Sequence, residues 1–166
     1  MEITYDTALN TKNWIDGYSS YSGRSIYMDT GDAAGCPTSG GNYTASTSCA
    51  SGGKTWTIND VHYKAWGAAP AYPLPQIYTN SGSQAFQWQR ISRYGYDFKG
   101  GSINIRGTLS QWQACQQTNA AECIAQPNGT DNQPVDAYNK LQDKLNADSA
   151  TAQIIEYATD VKWYYQ

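Results

Sequence analysis

The sequence predicts one α/β domain over residues 1–166, a partial (β/α) barrel of about four parallel strands interleaved with helices and stapled by two local disulfides. Three observations point that way. Short apolar runs of strand length alternate with longer stretches of helical periodicity. Gly- and Pro-rich segments punctuate them. The four cysteines fall into two local pairs, the first bracketing a Gly/Ser/Thr-rich stretch. Strands separated by helices favour a parallel sheet, and four such units make half of an eight-fold barrel.

A first helix is expected over residues 4–18, with Tyr5, Ala8, Leu9, Ile15 and Tyr18 forming a rough stripe around Trp14, until Ser19-Ser20-Tyr21-Ser22-Gly23 breaks it. Residues 25–29 read as a buried strand ending in a carboxylate. Residues 30–54 read as a long loop tied by Cys36 and Cys49, a length unusual unless cross-linked or functional. A short helix over 56–61 follows, with Thr55 or Thr57 near its start, then a second strand over 62–66 closed by Gly67. Three prolines in 68–75 argue against regular structure there. A brief third strand is expected at 76–78. A helix over 81–94 carries Ala85, Trp88 and Ile91 on one face, with Gly95 placed as its C-cap. The fourth strand falls at 102–107, and a loop between Cys115 and Cys123 comes next. Pro134 opens the clearest helix, in which Tyr138, Leu141 and Leu145 recur at helical spacing, and 151–157 reads as helical after a break.

Only 15% of residues are charged, while 14 Tyr, 6 Trp and many hydroxyl and amide side chains give a surface suited to hydrogen bonding and stacking. Extracellular, sugar-facing proteins share this composition. A net charge of −3 with scattered basic residues excludes a nucleic-acid footprint. No apolar run approaches the roughly 20 residues that span a bilayer. No secretory leader opens the sequence, which implies a mature chain or a piece of a longer one.

Of the three pairings that four cysteines allow, the local one, Cys36 with Cys49 and Cys115 with Cys123, is expected. No Cys-x-x-Cys spacing occurs and His62 is the sole histidine, so no metal or cofactor is expected. Disulfides imply an oxidising compartment, hence a secreted, extracellular protein.

Candidate chemistry gathers at strand ends, where α/β folds place their sites. Asp29 and Asp32 flank a Thr-Gly step after the first strand and suit the paired acid and base roles of glycosidic cleavage; the bland alternative is turn capping. Glu2 belongs to a strand end if Met1-Glu2 closes one, and to a frayed terminus otherwise. Trp66, Tyr78 and Trp112 are candidates for stacking on sugar rings, whereas Trp88 shares a helix face with Ala85 and Ile91 and reads as core. His62 lacks a Gly-x-Ser-x-Gly elbow to serve and reads as structural.

The ordered set Ile26-Tyr27-Met28-Asp29-Thr30-Gly31-Asp32-Ala33-Ala34-Gly35-Cys36-Pro37, Trp56-Thr57-Ile58-Asn59-Asp60-Val61, Ala65-Trp66-Gly67, Pro73-Leu74-Pro75-Gln76-Ile77-Tyr78, Gln87-Trp88, Gly107-Thr108-Leu109-Ser110-Gln111-Trp112-Gln113-Ala114-Cys115 and Thr159-Asp160-Val161-Lys162-Trp163 resembles the C-terminal half of secreted, actinobacterial-type proteins with a glycoside-hydrolase-like TIM barrel. These are distantly similar to glycoside hydrolase family 25 lysozymes, which use an Asp-x-Glu pair at strand ends. In the resembling proteins an Asp-Met-Glu segment ends a mid-barrel strand, and Met1-Glu2 looks like its remainder, with the leading Asp missing. The resemblance implies Glu2 as proton donor, Asp29 or Asp32 as the second carboxylate, and polysaccharide or peptidoglycan as partner. It also implies a missing N-terminal half-barrel; without one, open strand edges invite self-association. A non-catalytic glycan-binding or assembly module is the alternative.

Overall fold

The computed structural model describes residues 7–29, 33–51, 54–69, 71–125 and 132–163, with the backbone alone described at 27–29, 34, 51, 54 and 119–125. Helix α1 (Ala8–Ser22) begins where the Thr7 side chain accepts the Asn10 amide at 3.2 Å and ends at Gly23, whose φ of 59° suits a residue without Cβ. The serine run therefore stays helical, contrary to expectation. Strand β1 (Ile26–Asp29) lies where the sequence places it.

The loop expected over 30–54 contains more order than its composition suggests. A 3₁₀ turn (Ala33–Gly35) leads to Cys36, and β2 (Ser48–Ser51) pairs antiparallel with β3 (Lys54–Thr57). The Cys36–Cys49 disulfide ties the turn to β2. Trp56 is therefore in a strand, fully buried, rather than in a helix.

Thr57 and Asp60 form a reciprocal capping box that starts α2 (Ile58–His62). The helix runs into a π-helical turn (Tyr63–Gly67), so the strand expected over 62–66 is helical. Strand β4 (Ala71–Leu74) occupies the proline-rich segment instead, pairing parallel with β1 from Ile26↔Ala71 to Asp29↔Leu74. The prolines fall where they cost least. Bonds toward the next strand, β5 (Gly107–Ser110), are made by Pro75, which needs only its carbonyl, and by Ile77. Pro73 and Pro75 share that parity and have no N–H to give, so this contact shrinks to one parallel bridge, Gln76↔Leu109.

Helix α3 (Ser83–Lys99) extends past Gly95 to a C-cap at Gly100, φ 84°. Residues 102–106 are unpaired by strand ladders, and β5 starts where the fourth strand was expected to end. Residues between Cys115 and Cys123 belong to α4 (Trp112–Ala125) and not to a loop. Cys115 is disulfide-bonded; the side chain of Cys123 lies outside those described. Helix α5 (Pro134–Asn146) matches its prediction, with Asp136 closing a capping box on Gln133. Residues 152–156 are not helical: they lead extended into β6 (Tyr157–Asp160), which pairs parallel with β5.

The chain is thus mixed α/β, with two parallel strand pairs, β1–β4 and β5–β6, linked by the single Gln76↔Leu109 bridge so that β1, β4, β5 and β6 lie side by side in chain order. One sheet face packs on helices: Ala71 on Ile15 of α1, and Ile77 with Trp88 and Ile91 of α3 and Leu141 and Leu145 of α5. Thr108 and Ser110 are fully buried, while Tyr72, Leu74, Tyr157 and Thr159 are half-buried. Trp88 is core, fully enclosed.

Candidate functional site

The C-terminal ends of the four parallel strands lie at one end of the sheet, because the strands share a direction. Asp29 ends β1 in register with Leu74. Tyr78 follows the Gln76 bridge, Trp112 opens α4 two residues beyond β5, and Asp160 ends β6 in register with Ser110. Glu2 and Asp32 lie outside the described residues, as does the side chain of Asp29.

Tyr78 is held by its backbone. Its N–H donates to Gln84 Oε1 at 2.6 Å, and its carbonyl accepts the Asn132 amide at 3.0 Å. Asn132, 1% exposed, also donates through Nδ2 to the carbonyls of Ile77 (3.1 Å) and Thr79 (2.8 Å). The turn beyond β4 is therefore rigid, with the Tyr78 ring half-buried on it. Trp112 is likewise half-buried.

Asp160 is the carboxylate described in full at this end. Its Oδ1 accepts the Ser110 hydroxyl at 2.7 Å and its Oδ2 accepts the Gln113 amide at 3.0 Å. It acts on the first turn of α4 much as a capping residue would, from a neighbouring strand. The sequence reading passed over Asp160 and Ser110, and their pairing depends on the β5–β6 register.

Trp66 stands apart from this group. It belongs to the π-helical turn that precedes β4, so it lies on the side where that strand begins. Its ring meets Tyr72 edge-on, centroids 5.5 Å apart, and the Arg106 guanidinium sits 5.1 Å from the other aromatic's centroid in turn. With Asn59, His62, Tyr63 and Lys99, Trp66 lines a cavity of about 370 Å³. His62 is 4% exposed, and burial, helped by the Lys99 charge, lowers its pKa from 6.5 to about 4. A neutral, wedged imidazole is a packing element.

The half-buried sheet face is not legible in the sequence, because the segment that carries β4, with alternating burial, reads as irregular. Tyr72 projects from it, and across β5 the bare Cα of Gly107 lies against the Tyr157 ring; a Cβ there would stand 2.2 Å from the ring. Lys64, 1% exposed with its ammonium 5.5 Å from the Trp56 ring, is a buried charge that no sequence pattern marked. Among the described residues no group of three or more His, Cys, Asp or Glu can hold a metal ion, and no helix is long and apolar enough to cross a membrane. No family model, curated protein or solved structure matches the chain.

Proposed function

We propose that this chain is a secreted, glycoside-hydrolase-like domain with the architecture of a partial (β/α) barrel, acting on or binding cell-wall or extracellular polysaccharide. One observation carries the reading: the parallel strands follow each other in chain order, which brings Asp29, Tyr78 and Trp112 to one end of the sheet. That is where barrels of alternating strands and helices hold their chemistry. Aromatic rings at such an edge suit the apolar C–H face of a pyranose. The Cys36–Cys49 disulfide supports an oxidising, extracellular setting.

In this reading Glu2 serves as proton donor, Asp29 or Asp32 as second carboxylate, and Tyr78 and Trp112 as the sugar platform, without Trp66, which lies where β4 begins. A specific observation favours the non-catalytic alternative as second reading. Asp160, the strand-end carboxylate whose side chain is described, is committed to Ser110 and Gln113.

The test is an assay of new reducing ends after incubation with purified peptidoglycan and with neutral glycans, repeated for Glu2→Gln and Asp29→Asn. Release that both substitutions abolish supports hydrolysis. Retention of the protein on glycan without release supports the binding module. Neither release nor retention contradicts both.

A further inference from the structure

Helices α3 and α5 line a groove of about 530 Å³ that the strand-end reading does not use. Phe86 of α3 lies on its floor. The Arg90 guanidinium carbon stands 4.7 Å from the Phe86 ring centroid, and the Lys144 ammonium of α5 stands 5.8 Å from it. Cations held over a ring face lose mobility before any ligand arrives. Arg90 is further fixed by a hydrogen bond from Nη1 to the side-chain oxygen of Asn42, in the cross-linked segment between Cys36 and Cys49. Its Nε–H is buried without a hydrogen-bond acceptor among the described residues.

The charge around this groove is unbalanced. Neither Arg90 nor Lys144 forms an ion pair among the described residues. The one carboxylate lining the groove, Asp148, is already occupied: both its oxygens accept Arg93 Nη1 at 3.0 Å, and it also takes the Ala150 amide at 3.0 Å and Gln89 Nε2 at 3.2 Å. Gln89 and Ser149 add neutral polar groups to the lining. A chain of net charge −3 therefore presents two cations near one aromatic ring, Arg90 fixed by Asn42 and Lys144 from the facing helix, neither in an ion pair among the described residues.

We propose that the α3–α5 groove is an oxyanion-binding site, taking a carboxylate or phosphate group between Arg90 and Lys144 above Phe86. The guanidinium offers paired donors to a planar carboxylate or a phosphate edge, and the ammonium supplies a second charge from the facing helix. The site is independent of the strand-end reading.

Titration calorimetry of the full chain with trigalacturonate and, separately, with inorganic phosphate tests this. Binding of at least one is expected at low ionic strength, weakening as the screening length falls from about 30 Å to 8 Å. Arg90→Gln and Lys144→Gln are each expected to weaken it about tenfold or more, with unchanged far-ultraviolet dichroism, while Lys99→Gln, which removes an equal charge elsewhere, leaves it unchanged. Binding of trigalacturonate alone would identify an acidic saccharide as the source; binding of phosphate alone would identify a phosphate ester or free phosphate. No binding of either, or equal weakening by Lys99→Gln, would overturn the proposal.

Discussion

The imidazole of His62 occupies the space beside Gly95: a Cβ on that glycine would stand 2.9 Å from His62 Nε2 and 2.7 Å from the Gly101 carbonyl oxygen. Gly95 is thus inside α3 for packing, since it lets α2 and α3 approach. Gly95→Ala should destabilise the fold by about 1–3 kcal/mol, outweighing the better helix propensity of alanine. Gly17, in α1, has open space around its Cβ position, and Gly17→Ala should stabilise by about 0.5–1 kcal/mol. Urea melts of the pair check the contrast; two equal shifts would refute it.

The same imidazole gives the fold an acid-sensitive element. Its pKa falls from 6.5 unfolded to about 4 folded, through desolvation first and the Lys99 charge second. Between these values the unfolded state binds more protons, so stability declines as pH drops from 6.5 toward 4 and is unaffected above 6.5. The full loss is about 3 kcal/mol. His62→Phe should flatten stability measured by denaturant across that window, if the ring packs without strain; an unchanged pH slope would show that His62 is not its source.

Ser110 and Asp160 join β5 to β6 through one charge-assisted hydrogen bond of 2.7 Å. Asp160→Ala should cost about 1–2 kcal/mol, because it strips the Gln113 amide of its acceptor and leaves the Ser110 hydroxyl only the longer bond, 3.3 Å, to the Thr159 carbonyl. A double-mutant cycle with Ser110→Ala should return a positive coupling energy, whereas additivity would mean that the bond does not hold the edge.

The Cys36–Cys49 bridge closes a separation of 13 residues around Tyr43, whose buried hydroxyl donates to the Pro37 carbonyl at 2.5 Å. Replacing both cysteines with serine should lower stability by about 2–3 kcal/mol. It should also loosen Asn42 and, through it, Arg90, a change visible as faster amide exchange over residues 36–49. Unaltered exchange would dissociate the staple from the groove.

The elements that the sequence revealed are those whose signals are local. Pro134 at a helix start, the Ala85–Trp88–Ile91 stripe and the Thr57 cap each act within one turn, and α5, α3 and α2 formed accordingly. The elements missed are set by distant partners. Strand β4 hides behind Pro73 and Pro75, tolerated because the parallel ladder to β1 uses the other parity. Residues 152–156 stay extended because Gln153 satisfies the Ile105 amide at 2.8 Å and the Ile103 carbonyl at 2.9 Å, and Gln142 accepts the Ile155 amide. Both lie far apart in sequence. Of the candidate site, Asp29, Tyr78 and Trp112 reach one sheet end although two of the strands moved, since residues just past a strand remain there when its bounds shift. Trp66 does not, because the capping box turned its expected strand into helix.

The most direct measurement is a backbone-amide NMR titration with solubilised peptidoglycan fragments and with neutral oligosaccharides. The account predicts shifts that cluster at Asp29, Tyr78, Trp112 and Asp160, the shared end of the parallel strands, and that vanish in Tyr78→Ala combined with Trp112→Ala. Shifts confined to residues at the other end of the sheet, or none at saturating glycan, would contradict it.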